Sequence, residues 1–371
     1  MEKVIVYEPW AKNNVHYEFI KNFILSLSYI YKEIVFYGHE SIICLLKKDL
    51  IELNICFVPI SLVNCETLFG KITCLNKEKR NISLIKRNNS TNYPVFVTCG
   101  MPYTFFCFRK VLNNAKVYYV LHGGLEVLEN PVGIFKLMHY LVSSIRKLPD
   151  NSKIIVLGNS IRKNFLHYFP NFDKRIFAID LPCSKIPTNN ETNVKSENIK
   201  IGSIGIAQKE KGNYLLKDLA LFVQEKKLNI GIYHVGKMFK DLFYLEKFVY
   251  LPLPKEGLAS REDFSKAAME LDYFLYFYDK SKYKLTASGA LFDAFIYRKP
   301  IIALRNDYFE DIFNRFPGIG YLCDNFDEMK EKLLSLPAND SFEYKNMQDK
   351  ETEALLSFDP KIISEQIRIN L

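Results

Sequence analysis

Short apolar runs recur along the whole chain, separated by stretches with helical spacing, and this alternation constrains the fold more than any other feature. In the first half Val4–Tyr7, Ile34–Tyr37, Ile55–Pro59, Val95–Thr98, Lys116–Leu121 and Lys153–Leu157 read as strands. Phe19, Phe23, Ile24 and Leu27 give His16–Ile30 one apolar helical face, and Ser41–Leu46 is a shorter apolar-faced segment. The second half repeats the scheme, with strands expected at Ile199–Ile204, Asn229–Val235, Phe248–Leu251, Tyr273–Phe277 and Pro300–Leu304. Helices are expected between them at Leu215–Glu225, Ser260–Met269 and Ala290–Tyr297. Strands alternating with helices imply parallel sheets covered on both faces. The expected fold class is α/β, with two doubly wound parallel-sheet domains.

A chain of 371 residues exceeds one ordinary core, so two domains of roughly 150–200 residues are expected. The segment 184–198 is polar and has no apolar periodicity, which marks it as the linker. The expected division is therefore 1–183, the linker 184–198, a second domain 199–354, and a closing segment 355–371 carrying a helix at Asp359–Ile369.

Charge is unevenly spread. Residues 1–180 hold 23 basic and 14 acidic side chains, a net of +9, while the remainder holds 27 and 28, a net of −1. A basic first half suits an anionic membrane surface or a phosphorylated partner. Tyr and Phe are abundant but scattered rather than interleaved with basic residues on one face, so no nucleic-acid partner is expected. Eight cysteines lie without a close pair, which argues against a zinc site or disulfide scaffold and for a reducing cytoplasm. The start MEKVIVYEPW has no signal-peptide pattern, and no long uncharged apolar run suggests a membrane span.

Lys284–Leu304, KLTASGALFDAFIYRKPIIAL, concentrates the chemistry. Ser288 and Gly289 stand where a helix begins, and the free amides of a helix tip suit a phosphate. Asp293 lies one turn further in, within reach of a sugar hydroxyl. A second turn, IGSIGIAQKEKGNYLL over Ile201–Leu216, leaves a strand through Gly205 and places Lys211 before Gly212. In the first half, VLHGGLEVL puts His122 at the end of a strand beside Gly123, with Glu126 four residues on. The first loop, EPWAKNNVHYEFI, carries Glu8, Trp10, Asn13 and His16, and Thr98–Pro102 follows another strand. YHVGK brings His234 and Gly236 to the end of a strand in the second half. A nicotinamide site is disfavoured, because the first strand runs into EPWAKNN rather than a GxGxxG turn.

The second half resembles nucleotide-sugar glycosyltransferases of the GT-B architecture, in which two Rossmann-like domains face each other across a cleft. It is most similar to the large retaining family that builds bacterial polysaccharides and glycolipids. The resemblance rests on IGSIGIAQKEKGNYLL, on SGALFDAFIYRKPIIAL, and on the polar linker with a closing helix that crosses back to the first domain. It implies Lys211 against the donor diphosphate and Asp293 against the ribose. Gly205, His234, Ser288, Gly289, Ala290 and Leu291 complete the donor side. It also implies His122 against the donor sugar as a catalytic residue with Lys211, and Trp10, His16 and Gly123 toward the acceptor. Two positions depart from the pattern. Ile206 stands where the family has Arg, with Lys209 the nearest substitute, and Leu285 stands where it has the first of two acids.

What the resemblance implies is a cytoplasmic glycosyltransferase, peripheral on the inner face of the membrane. It would move a sugar from a nucleoside diphosphate to a polysaccharide or lipid-linked glycan. No cofactor and no metal is expected, because a lysine and a helix tip can stabilise a leaving diphosphate. The alternative is a catalytically inactive sugar- or nucleotide-binding or partner protein of the same fold.

Overall fold

The computed structural model describes residues 1–13, 15–63, 68–100, 104–105, 107, 115–122, 125–128, 144–185, 198–257, 259–278, 280 and 283–371. Gly123, Met101, Pro102, the Glu126 side chain and most of the expected linker lie outside the described residues. The chain forms two compact units. The first comprises Met1–Ser184, Leu285–Ala287 and Phe358–Leu371, and the second Lys185–Lys284 and Ser288–Ser357.

The first unit holds strands β1 (Lys3–Tyr7), β2 (Glu33–Gly38), β3 (Ile55–Pro59), β4 (Val95–Val97), β5 (Val117–Leu121), β6 (Ser152–Val156) and β7 (Ile176–Ala178). They make one parallel sheet in the order β3-β2-β1-β4-β5-β6-β7. Among the described residues its helices include α1 (Tyr17–Ser28), α2 (Glu40–Asp49), α3 (Leu68–Asn88) and α4 (Asn159–Tyr168). α1 buries Phe19, Ile20, Phe23, Ile24 and Leu27 on one face, the period its sequence shows, against Val4, Val6, Phe36 and Phe96 of the sheet. Full burial of side chains this size contributes about 1.5–3 kcal/mol each.

The second unit holds β8 (Ile199–Ile204), β9 (Ile230–Val235), β10 (Tyr273–Tyr276), β11 (Ile301–Leu304) and β12 (Gly320–Cys323), again all parallel, in the order β12-β11-β10-β8-β9. Its helices are α5 (Leu215–Glu225), α6 (Arg261–Met269), α7 (Leu291–Tyr297), α8 (Asp307–Arg315), α9 (Phe326–Leu333) and α10 (Phe342–Leu356). Several starts are set by side-chain caps: Ser260 accepts from the Asp263 N–H, Asn306 from Phe309 and Ser341 from Tyr344. The last helix, α11 (Pro360–Ile369), begins with proline at its first turn, where no amide hydrogen is needed, and buries Ile363 and Ile367 in the first unit's core.

Phe248–Leu251 is not a strand. Only Tyr250 bridges to Tyr233, because the chain arrives through a 3₁₀ stretch at Lys240–Lys247 and leaves through Pro252 and Pro254, which have no ladder donor. Cys74 is disulfide-bonded, a pairing that the cysteine spacing, without a close pair, did not lead one to expect. Among the described residues no helix is long and apolar enough to cross a membrane.

Each sheet has one point where the chain reverses its direction of travel. In the first unit this lies between β1 and β4, in the second between β8 and β10. Crevices for ligands open beyond the carboxyl ends of strands at such points.

Candidate functional site

At the switch point of the first unit, β1 ends in a buried carboxylate. Glu8 Oε1 accepts the N–H groups of Trp10 and Ala11 at 2.8 and 2.9 Å, and its Oε2 accepts the Thr98 hydroxyl at 2.7 Å. This fixes the loop between β1 and α1 to the end of β4. The loop delivers His16, in the left-handed region at φ 56°, to the start of α1. There its ring stacks on His122 with centroids 5.0 Å apart, while Trp10 lies 5.1 Å from His16 on a tilted plane. Phe19 meets His122 edge-on at 3.9 Å.

The structure thus brings Trp10, His16 and His122 into one aromatic box. His16 Nδ1 and His122 Nε2 are buried with no hydrogen-bond partner among the described residues. Burial holds His16 below the ordinary histidine range, partly offset by the Glu8 carboxylate. Burial, and next the neighbouring His16, hold His122 well below it. Both rings are neutral near pH 7, so each offers uncharged hydrogen-bonding nitrogen beside aromatic faces. Such a surface suits a sugar ring with its hydroxyls and apolar C–H faces. The sequence singled out both histidines; the part Glu8 plays in placing them depends on contacts 90 residues apart and was not legible.

At the switch point of the second unit, β8 exits through Gly205, at φ +85°, whose N–H donates to the Val235 carbonyl at 2.9 Å. The following 3₁₀ turn, Lys209–Lys211, closes on Gly212 at φ +74°. A Cβ on Gly212 would meet the Phe277 carbonyl oxygen at 2.3 Å, so this turn lies directly on the end of β10. The same strand end holds the tip of α7: the Tyr276 hydroxyl donates to the Ala290 carbonyl at 2.8 Å, and the Tyr278 hydroxyl pairs with Ser288 Oγ at 3.1 Å. The Lys211–Gly212 turn and the Ser288–Ala290 tip are therefore both tied to the end of β10.

Lys211 is half-buried and has no ion-pair partner among the described residues, and burial lowers its pKa. The amides of Gly289 and Ala290 have no acceptor among the described residues, and the space above Gly289 is open. An unpaired cation and two free amides at one site suit an anion. Lys209, the expected substitute for the missing arginine, is exposed and pairs with Asp241 at 3.4 Å. Ile206 is solvent-exposed and Leu285 fully buried.

The structure adds contacts at three of the expected donor-side positions. His234 is fully buried; its Nδ1 pairs with Ser203 Oγ at 2.8 Å and its Nε2 faces the Lys237 carbonyl at 3.3 Å, so its ring ties the end of β9 to β8. The Leu291 side chain lies in the core and its N–H donates to the Ser288 carbonyl at 3.3 Å, which removes it from the free amides. Asp293 has a partner on another helix: Arg261 Nη2 donates to its Oδ1 at 2.7 Å. Nothing near Arg261 in the sequence marks it beyond an ordinary helix start. Among the described residues no three His, Cys, Asp or Glu side chains are placed to hold a metal ion.

No known family profile matches the sequence, and no curated protein matches it. Solved structures do. A point mutant of S. aureus TarM, in complex with fondaparinux, α-GlcNAc-glycerol and UDP, superposes with a TM-score of 0.65 at 13% identity over 100% of this chain and 99% of that one. Against another TarM structure identity is 20% and the TM-score 0.58, covering 78% of this chain and 58% of that chain. Anabaena Alr3699/HepE, in complex with UDP and glucose, gives 0.63 at 11% identity over 99% and 98% of the chains. With two parallel α/β sheets and these structural neighbours, the chain has the fold of the GT-B glycosyltransferases.

Proposed function

We propose that the protein is a glycosyltransferase that moves a sugar from a nucleoside diphosphate to a glycan or lipid-linked acceptor. One observation carries the reading: Lys211 and the free amides of Gly289 and Ala290 converge on the end of β10, at the point of the sheet where ligands bind. Departure of a sugar leaves negative charge on the diphosphate, and a cation with oriented amides stabilises that charge. Asp293 would take the ribose. In the first unit His122 would contact the transferred sugar, with Trp10 and His16 toward the acceptor. The resemblance of Lys284–Leu304 to the retaining family supports retention of anomeric configuration, which the product's anomeric NMR signal would check. The basic first half supports a peripheral place at an anionic membrane, in surface-polysaccharide assembly.

The exposed Ile206 and the buried Leu285 favour, as the second reading, an inactive member of the fold that still binds nucleotide. Thermal-shift measurements with UDP, GDP, dTDP, CMP and NAD separate these, since a bound ligand stabilises the native state. UDP is the first choice because TarM and HepE hold it in their structures. A selective shift that shrinks in Lys211→Ala supports the donor site, and donor turnover then decides between enzyme and inactive relative. A shift with NAD alone, or none with any nucleotide, refutes the donor reading.

A further inference from the structure

We propose that Arg261 is the positioning residue for donor recognition: it holds the Asp293 carboxylate by one oxygen and presents the other to the ribose hydroxyls. This rests on the donor reading above. Arg261 Nη2 donates to Asp293 Oδ1 at 2.7 Å, while Asp293 Oδ2 has no hydrogen-bond partner among the described residues. The two side chains come from the first turns of different helices. Asp293 follows the tip of α7, whose Ala290 carbonyl is tied to β10 by Tyr276. Arg261 opens α6 behind the Ser260 cap. Its guanidinium lies 5.2 Å from the Phe264 ring centroid and 6.0 Å from that of Tyr297, whose hydroxyl pairs with Ser265 Oγ at 2.8 Å. The cation is thus bordered by two rings and directed at one carboxylate oxygen.

Two physical arguments make this arrangement a recognition device. Side-chain exposure is 53% for Arg261 and 18% for Asp293, and a pair this open contributes little to folding. A carboxylate already held in one orientation loses less freedom when it accepts a ligand hydroxyl. Charge points the same way. An uncompensated carboxylate beside an anionic diphosphate repels it, and Arg261 cancels that repulsion in a site where Ile206 supplies no cation.

The experiment is isothermal titration of the full chain with UDP and with 2′,3′-dideoxyuridine diphosphate, repeated with the guanine and adenine pairs. Hydrogen bonds to a charged group predict that wild type binds one ribonucleotide roughly 10- to 100-fold more tightly than its dideoxy form. Arg261→Met keeps the length over Phe264 and Tyr297 and should bring the two affinities toward equality. Arg261→Lys should restore part of the preference. If Asp293→Ala abolishes the preference but Arg261→Met leaves it intact, the positioning role is wrong while the donor reading stands. If Asp293→Ala also leaves it intact, or no nucleotide binds, the donor reading fails and the role of Arg261 fails with it.

Discussion

Tyr7 and Glu78, 71 residues apart, meet inside the first unit: the Tyr7 hydroxyl at the end of β1 donates to Glu78 Oε2 on α3 at 2.6 Å, and both side chains are fully buried. Asn81, one turn on, points its amide at the same phenol oxygen at 3.4 Å and at the Ser61 carbonyl at 2.9 Å. Burial pushes the Glu78 carboxyl up from 4.5 to about 7, against the opposing pull of the Tyr7 hydrogen bond.

That shift gives Glu78 a defined sign. Its folded-state value lies above the unfolded one, so its stabilisation is present below pH 4.5 and is lost as pH rises through about 7. Glu78→Gln keeps an acceptor for Tyr7 without the charge. It should raise stability at pH 8 by about 1–3 kcal/mol and change it much less at pH 5. Denaturant unfolding at the two pH values reads this; equal effects at both would show that Glu78 is not neutral in the acid-side fold.

His234 has the opposite sign. Burial lowers it from 6.5 to about 4, so its contribution is intact above pH 6.5 and is lost as pH falls toward 4 while the unfolded chain takes up the proton. His234→Gln should flatten that part of the stability curve, by about 2–3 kcal/mol across the window. Comparing melting temperatures of the two proteins between pH 7 and pH 4.5 checks it, and parallel curves would contradict the buried neutral imidazole.

Gly205 and Gly212 both have positive φ, yet they differ in what surrounds them. A Cβ on Gly205 meets nothing within 4 Å, whereas one on Gly212 meets the Phe277 carbonyl at 2.3 Å. Gly205→Ala should cost about 1–2 kcal/mol from the left-handed backbone alone. Gly212→Ala should cost more, and it should weaken nucleotide binding because it pushes the Lys211 turn off β10. Equal melting losses for the two variants would remove the close approach at Gly212.

His122 carries a buried nitrogen with no partner among the described residues, in a box already rich in rings. His122→Phe should therefore leave the melting temperature within a few degrees while lowering transfer at least about 10-fold. A large fall in stability with transfer unchanged would mean that the imidazole serves the fold.

Sequence alone determined the class and most of the frame. Period-2 and period-3.6 patterns reflect which residues each element must bury, and that requirement is local, so β1, β2, β5, β8, β10, α1 and α5 were legible. Short edge strands were not: β7 and β12 have three and four residues and lean on a neighbour for their hydrogen bonds. The glycine turns, Lys211 and the Ser288–Ala290 tip were visible because backbone freedom and helix starts are written in residue type. Tertiary structure alone decided what those residues face. It turned His234 inward onto Ser203, set His16 against His122, and gave Asp293 the partner Arg261, 32 residues away. Side-chain pairing follows from which strand ends the sheet order brings together, and no local pattern encodes that order.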